Sequence, residues 1–333
     1  MGLFSNLFSL PAVGYRVLRN AQRQRQQIQQ ILHPEILAAR IHNDGSLSEK
    51  DYQKILTYYG YIIPAFLGDS YCILRGQSAT EKEQLAITYQ GAMTGLFDDF
   101  FDEKEMPEEE LTSIIEDPYQ LIGKDTNERL FLRFYRLALD NCKRPKLVQT
   151  YLRKVYDAQV LSLRQLLPET DAQEILDITL QKGGMSFLFY RAVYDHPLEE
   201  AEREMLFHVG GVMQLNSDVF DIYKDLHAGI RTLPTLCKDI RTLRNTISIL
   251  QDKAFSLAYH CGYPRRQVRS FLRFLSLVNS RTFVCLDMLA ALQKSTGGVF
   301  SPEAYERDAL ICDMETPMNM LRSVGKHLTY KMP

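Results

Sequence analysis

A chain of 333 residues with 39 Lys+Arg against 41 Asp+Glu has a formal net charge of -2, which excludes the clustered basic excess of a nucleic-acid binder. Its six cysteines (Cys72, Cys142, Cys237, Cys261, Cys285, Cys312) include no Cys-x-x-Cys pair, so neither a disulfide framework nor a zinc site is expected; buried thiols in a reducing compartment are. The seven histidines show no ligand spacing, and no glycine-rich phosphate loop, nucleophile elbow or His-Glu-x-x-His motif is present.

The first residues are apolar but lack the basic start and small-residue cleavage site of a signal peptide, and no uninterrupted apolar run approaches the ~20 residues of a membrane span. A cytoplasmic chain is expected. Leu3, Phe4, Leu7, Phe8 and Leu10, followed by Arg16 and Arg19, suit peripheral contact with a bilayer, although packing of segment 1–14 on the domain is the simpler expectation. From residue 15 to 333 no Pro/Gly/Ser-rich linker divides the chain, which reads as one domain.

The apolar period is 3.6 almost everywhere, which predicts an all-α fold, a single large helical bundle around a central cavity. A Gln/Arg-rich helix is predicted from Tyr15 to Leu32, ending near His33-Pro34. Ser48 to Asp51 and Thr80 to Glu83 read as capping boxes opening two more, the second running through Leu85, Tyr89 and Leu96. Further helices are predicted over Thr126 to Asn141, Lys146 to Leu167, Asp171 to Tyr194, Leu198 to Leu226, Leu236 to Cys261, Arg265 to Gln293 and Pro302 to Thr329.

Two aspartate clusters interrupt this pattern. In Asp98-Asp99-Phe100-Phe101-Asp102, residues 98 and 102 share a helix face among Met93, Leu96 and Phe97. Like charges at that spacing are unfavourable without a cation, although an acidic, solvated helix end is the plain alternative. The second cluster puts Ser217, Asp221 and Asp225 at i, i+4 and i+8, with Asp218 nearly in line, between Leu215, Val219 and Ile222. Two such sets on facing helices would make an oxygen cage suited to Mg²⁺ ions, which take carboxylates and substrate phosphate oxygens together.

These residues resemble the class I, all-α isoprenoid synthases. Asp98 to Asp102 matches their DDxxD motif without interruption, and Gln214-Leu215, Asp221, Asp225, Gly229 and Leu233-Pro234 resemble the second motif of squalene and phytoene synthases. The departure is Ser217, where that family carries asparagine, with Asn216 one place early. The second stretch also resembles that of chain-elongating prenyltransferases through Gln214, Asp218, Asp221 and Asp225, and terpene cyclases use the spacing of Ser217, Asp221 and Asp225 with other identities.

The resemblance implies a prenyl diphosphate substrate and several Mg²⁺ ions held by Asp98, Asp99, Asp102, Ser217, Asp218, Asp221 and Asp225. Lys182, placed where elongating prenyltransferases keep a diphosphate-binding lysine, Lys224, Arg191 and Arg231 are the expected diphosphate contacts, with carboxy-terminal Lys326 and Lys331 behind them. Gly183-Gly184 after Lys182 marks a kink, a close approach to ligand or a tight helix crossing. Phe97, Phe101, Phe187, Tyr190 and Phe220 are candidates to line a dry pocket around a carbocation. Glu103-Lys104-Glu105 stands where elongating enzymes carry Arg-Arg, and Gly95 where bacterial squalene-type enzymes carry arginine. A single-substrate terpene synthase is therefore expected, with head-to-head condensation as the alternative and a catalytically silent isoprenoid binder as a further one; a homodimer is compatible with each.

Overall fold

Apolar residues recurring three and four apart fold this chain into helices, and among the described residues, 2–102 and 106–332 of a computed structural model, there is no strand. The fold is all-α. In chain order the α-helices of six or more residues are α1 (Gly2–Gln27), α2 (His33–Ile41), α3 (Glu49–Lys54), α4 (Asp69–Arg75), α5 (Glu81–Asp102), α6 (Glu108–Glu116) and α7 (Thr126–Asp140). They continue as α8 (Pro145–Ser162), α9 (Ala172–Arg191), α10 (Glu200–Phe220), α11 (Ile222–His227), α12 (Ile240–Ala258), α13 (Arg265–Ser295) and α14 (Pro317–Thr329).

Both expected capping boxes form: the Ser48 backbone N–H donates to Asp51 Oδ2 (2.8 Å), and that of Thr80 to Glu83 Oε2 (2.8 Å). Four boundaries differ from expectation, the first being that α1 begins at Gly2 rather than Tyr15 and runs through Pro11. The chain does not leave the helix at His33-Pro34 but passes through one wide π turn, Ile28–Leu32, directly into α2; a wider turn lets the ladder accommodate a residue that has no N–H. The segment expected to be one helix from Leu198 to Leu226 breaks at Asp221 (φ -94°, ψ 8°). The segment from Pro302 to Thr329 is short turns until α14, because Pro317 holds Thr316 extended (φ -64°, ψ 135°).

The chain divides into two compact units, each assembled from separate segments. The N-terminal unit comprises Pro11–Arg153 with Phe189–Pro197. Its core is the pairing of α5 with α7, filled by an aromatic series: Phe97 stacks on Phe131 (5.6 Å), and Phe131 meets Phe100 (5.1 Å) and Tyr135 (5.7 Å). Glu83, on the first turn of α5, is buried against Arg75 (2.7 Å) and accepts from the backbone N–H of Asp195 (2.9 Å). Burial alone would raise its pKa, yet Arg75 and these N–H groups hold it down to about 2.

The C-terminal unit comprises Met1–Leu10, Lys154–Leu188 and Leu198–Pro333. Helix α10 packs on α12 and α13 around Leu215, Val219, Ile247, Cys285 and Leu289. The amino-terminal residues pack here: buried Asn6 donates to the carbonyls of His327 (3.0 Å) and Tyr330 (3.2 Å), while Phe8 stays 81% exposed. Among the described residues α13 alone is long and apolar enough to span a bilayer, a property that the count of uninterrupted runs overlooked. Half of its most apolar window is buried inside the protein, as in the core helix of a globular domain. All six cysteines are free, four of them buried.

Candidate carboxylate sites

Four glycines position the site of the C-terminal unit. A Cβ on Gly183 would lie 2.1 Å from the carbonyl oxygen of Gly210, and one on Gly210 2.3 Å from that of Gly183; Gly184 and Gly211 are covered equally closely by Phe207 and Leu180. The tandem glycine therefore serves a tight crossing of α9 and α10, and α9 runs through it without a break. The crossing sets Thr179 and Lys182 of α9 beside the last turns of α10. Asp218, buried there, accepts from Gln214 Nε2 (2.9 Å) and Thr179 Oγ1 (3.2 Å).

Asp221 caps α11 and is exposed, and buried Asp225 follows one turn later. Burial raises Asp218 to about 6, against the opposing pull of Gln214 and Lys182. Burial, then repulsion from Asp218 and Asp221, raises Asp225 to about 7. Among the described residues no side chain donates to the Asp225 carboxylate and Lys182 makes no direct ion pair, although its charge favours ionisation of both acids. The stripe that interacts is thus Asp218, Asp221 and Asp225.

Ser217 is exposed beside this stripe. Asn216, one place before the family's asparagine position, belongs to a buried amide ladder: it donates to Asn279 Oδ1 (3.0 Å), which in turn donates to Gln251 Oε1 (3.0 Å). The downstream part of the motif is a helix stop. Gly229 takes φ +68°, and the Ile230 N–H returns to the Asp225 carbonyl (2.8 Å).

In the N-terminal unit Asp98 and Asp99 are half-buried at the end of α5. Tyr59 donates to Asp98 Oδ2 (3.2 Å), and buried Asn127 donates to Asp99 Oδ2 (3.1 Å). Burial and the neighbouring Asp98 charge raise the Tyr59 phenol far above its usual range, so it stays a donor. Its ring covers Gly95, where a Cβ would sit 2.6 Å from Cε2. Tyr190 shares a 2.8 Å hydrogen bond with Thr94, one turn before Asp98. Phe97 is buried in the aromatic core and Phe101 meets it edge-on (5.5 Å). The Asp102 side chain and Glu103-Lys104-Glu105 lie outside the described residues.

The other expected diphosphate contacts differ in kind. Lys224 is exposed. Arg191 is fully buried and donates to the carbonyl of Pro197 (3.1 Å) and to the ring of His196 (2.5 Å), bracing the turn after α9. Arg231 bonds the carbonyls of Pro168 and Thr170, tying the segment after α11 to the turn before α9. Phe187 lies against Gly210 at the helix crossing, and Phe220 packs on the core of its unit beneath Arg281. Lys326 pairs with Asp287 (2.6 Å). Tyr59, Asn127, Thr179 and Gln214 enter as carboxylate partners; Gln214 alone was part of a motif.

Among the described residues no three His, Cys, Asp or Glu side chains converge closely enough to hold a metal ion as they stand. The donor set nonetheless suits a hard cation: Asp218 and Asp225 are buried acids whose repulsion a divalent ion would relieve. No family profile, curated protein or solved structure matches the chain.

Proposed function

We propose that the chain is a Mg²⁺-dependent class I terpene synthase, which ionises one prenyl diphosphate and cyclises or quenches the resulting carbocation. The observation that carries this reading is the Asp218, Asp221 and Asp225 stripe: two of its acids are buried, and burial raises them to about 6 and about 7. When bound, Mg²⁺ supplies Lewis-acid charge that makes diphosphate a better leaving group. Asp98, Asp99, Asp102, Ser217, Asp218, Asp221 and Asp225 are assigned as oxygen ligands of the several Mg²⁺ ions that this reading requires.

Lys182 and Lys224 are assigned to the diphosphate. Arg191 and Arg231 are left out, because their guanidiniums already serve backbone carbonyls. Tyr59 orients Asp98, Asn127 orients Asp99, and Thr179 and Gln214 orient Asp218. The faces of Phe97, Phe101, Phe187, Tyr190 and Phe220 are assigned to carbocation stabilisation and exclusion of water. Gly95 favours the single-substrate reaction, since the Tyr59 ring occupies the space that an arginine side chain would enter.

The test incubates purified protein with Mg²⁺ and C10 to C30 prenyl diphosphates, singly and in pairs, and measures diphosphate release and product mass. One diphosphate per product, with the substrate's carbon number, is expected. Twice that carbon number would promote head-to-head condensation. No release from any chain length, with no effect of Mg²⁺ on the protein, would leave only the catalytically silent isoprenoid binder. Asp98→Asn and Asp221→Asn should each lower turnover by roughly 100-fold or more with unchanged helical circular dichroism.

A further inference from the structure

The N-terminal unit holds a second polar site, away from the aspartates. One face of α1 and, opposite it, the residues from Pro64 to Cys72 and Ser78 to Gln84 enclose a cavity of about 280 Å³. Three arginines of α1, Arg16, Arg19 and Arg23, line it, and the acid among its lining residues is Asp69. Asp69 is fully engaged: Arg16 grips both its oxygens (2.6 and 2.7 Å). Arg19 and Arg23 have no acidic partner among the described residues, and both are exposed enough to meet a ligand from solvent.

A second observation points the same way. The Asn20 side chain lines this cavity between the two arginines in sequence, and its amide N–H₂ is buried without an acceptor. A buried donor without a partner costs roughly as much as a lost hydrogen bond, so an acceptor belongs there. Gln24 does not supply it, because its own groups are taken by the Gly60 carbonyl (2.7 Å), Thr88 (3.1 Å) and Gln84 (2.9 Å). Two uncommitted guanidinium forks and one uncommitted amide, in a cavity near the small end of ligand sites, call for a compact anion with several acceptor oxygens.

We infer that this cavity binds a phosphate group through Arg19, Arg23 and Asn20, with the Arg16–Asp69 pair as its fixed wall. The phosphate comes either from a small soluble phosphomonoester or from the headgroup of an anionic phospholipid. The second source is physically reasonable because Tyr15 (68% exposed) and Leu18 (66% exposed) lie on the same helix, where they would meet the interface. Nothing here depends on the aspartate clusters.

Binding is measured on the full chain in EDTA, so that Mg²⁺-dependent diphosphate binding does not contribute and failure would leave the terpene synthase reading standing. The probes are glycerol 3-phosphate by calorimetry, and vesicles of phosphatidylcholine with or without phosphatidic acid by sedimentation. Saturable 1:1 binding of the soluble probe, or binding to vesicles only when phosphatidic acid is present, is expected. Arg19→Gln and Arg23→Gln should each weaken it roughly tenfold while Tm is retained, since both side chains are exposed. Leu18→Ser, which lies outside the cavity lining, should weaken the vesicle arm alone, which identifies the source. Absence of binding to both probes, or equal binding by wild type and the Arg19→Gln/Arg23→Gln variant, would overturn the inference.

Discussion

Ionising Asp225 inside the metal-free fold works against burial and against two neighbouring acids, and this gives the protein a pH dependence of definite sign. The folded pKa values, about 7 for Asp225 and about 6 for Asp218, lie above the ordinary 3.8, so the folded state holds protons between pH 4 and 7 that the unfolded chain has released. Stability in EDTA should therefore fall as pH rises from about 4 to about 7 and level off above. Under the proposed function Mg²⁺ would take the deprotonated carboxylates, and it should then raise Tm most above pH 7. Differential scanning fluorimetry across pH 5 to 8 checks this: Asp225→Asn should flatten the EDTA profile, and identical slopes in wild type and variant would refute the electrostatic account. The acids themselves were legible as charges on apolar helical sequence. Their partners were not, because Tyr59 and Asn127 lie 39 and 28 residues from the aspartates they serve and neither interrupts its local pattern.

Helices, as elements, were legible from period and caps, and the misses have local causes. The π turn Ile28–Leu32, just before Pro34, keeps the chain helical where a stop was expected, and a second π turn, Ile63–Gly68, takes in Pro64. Asp221 breaks what periodicity reads as continuous, because the apolar face is the same on both sides of the break. The Lys182-Gly183-Gly184 element left three readings open, since a glycine's partner lies on another helix. Its role is now testable. Alanine at position 183 gains up to about 1 kcal/mol of helix propensity but meets the Gly210 carbonyl, and overpacking of this kind costs about 1–3 kcal/mol. Gly183→Ala should lower the denaturant midpoint accordingly, and with Gly210→Ala the losses should be non-additive, because each relieves part of the same clash. A stabilised Gly183→Ala protein would refute the tight crossing.

For the whole molecule, composition and periodicity foretold an all-α protein, and the apolar pattern carried no sign of two compact units. Three of the four unit boundaries, at residues 10, 153 and 188, fall within α1, α8 and α9, and the fourth follows Pro197 in the short turn before α10; no Pro/Gly-rich stretch marks any of them. The carboxylate sets belong to different units, and kinetics can ask whether they act on one substrate. Under the proposed reaction each set helps the same diphosphate depart, so Asp98→Asn and Asp221→Asn remove parts of one catalytic assembly. Groups that act as a unit are strongly non-additive: once the first is lost, the second has little left to contribute. The double variant should then retain turnover within about tenfold of the slower single variant, measured as diphosphate release under saturating prenyl diphosphate. Independent sites would instead multiply the two losses. A double variant slower by the product of the single effects, with helical content intact, would separate the clusters and remove the reason for assigning both to one reaction.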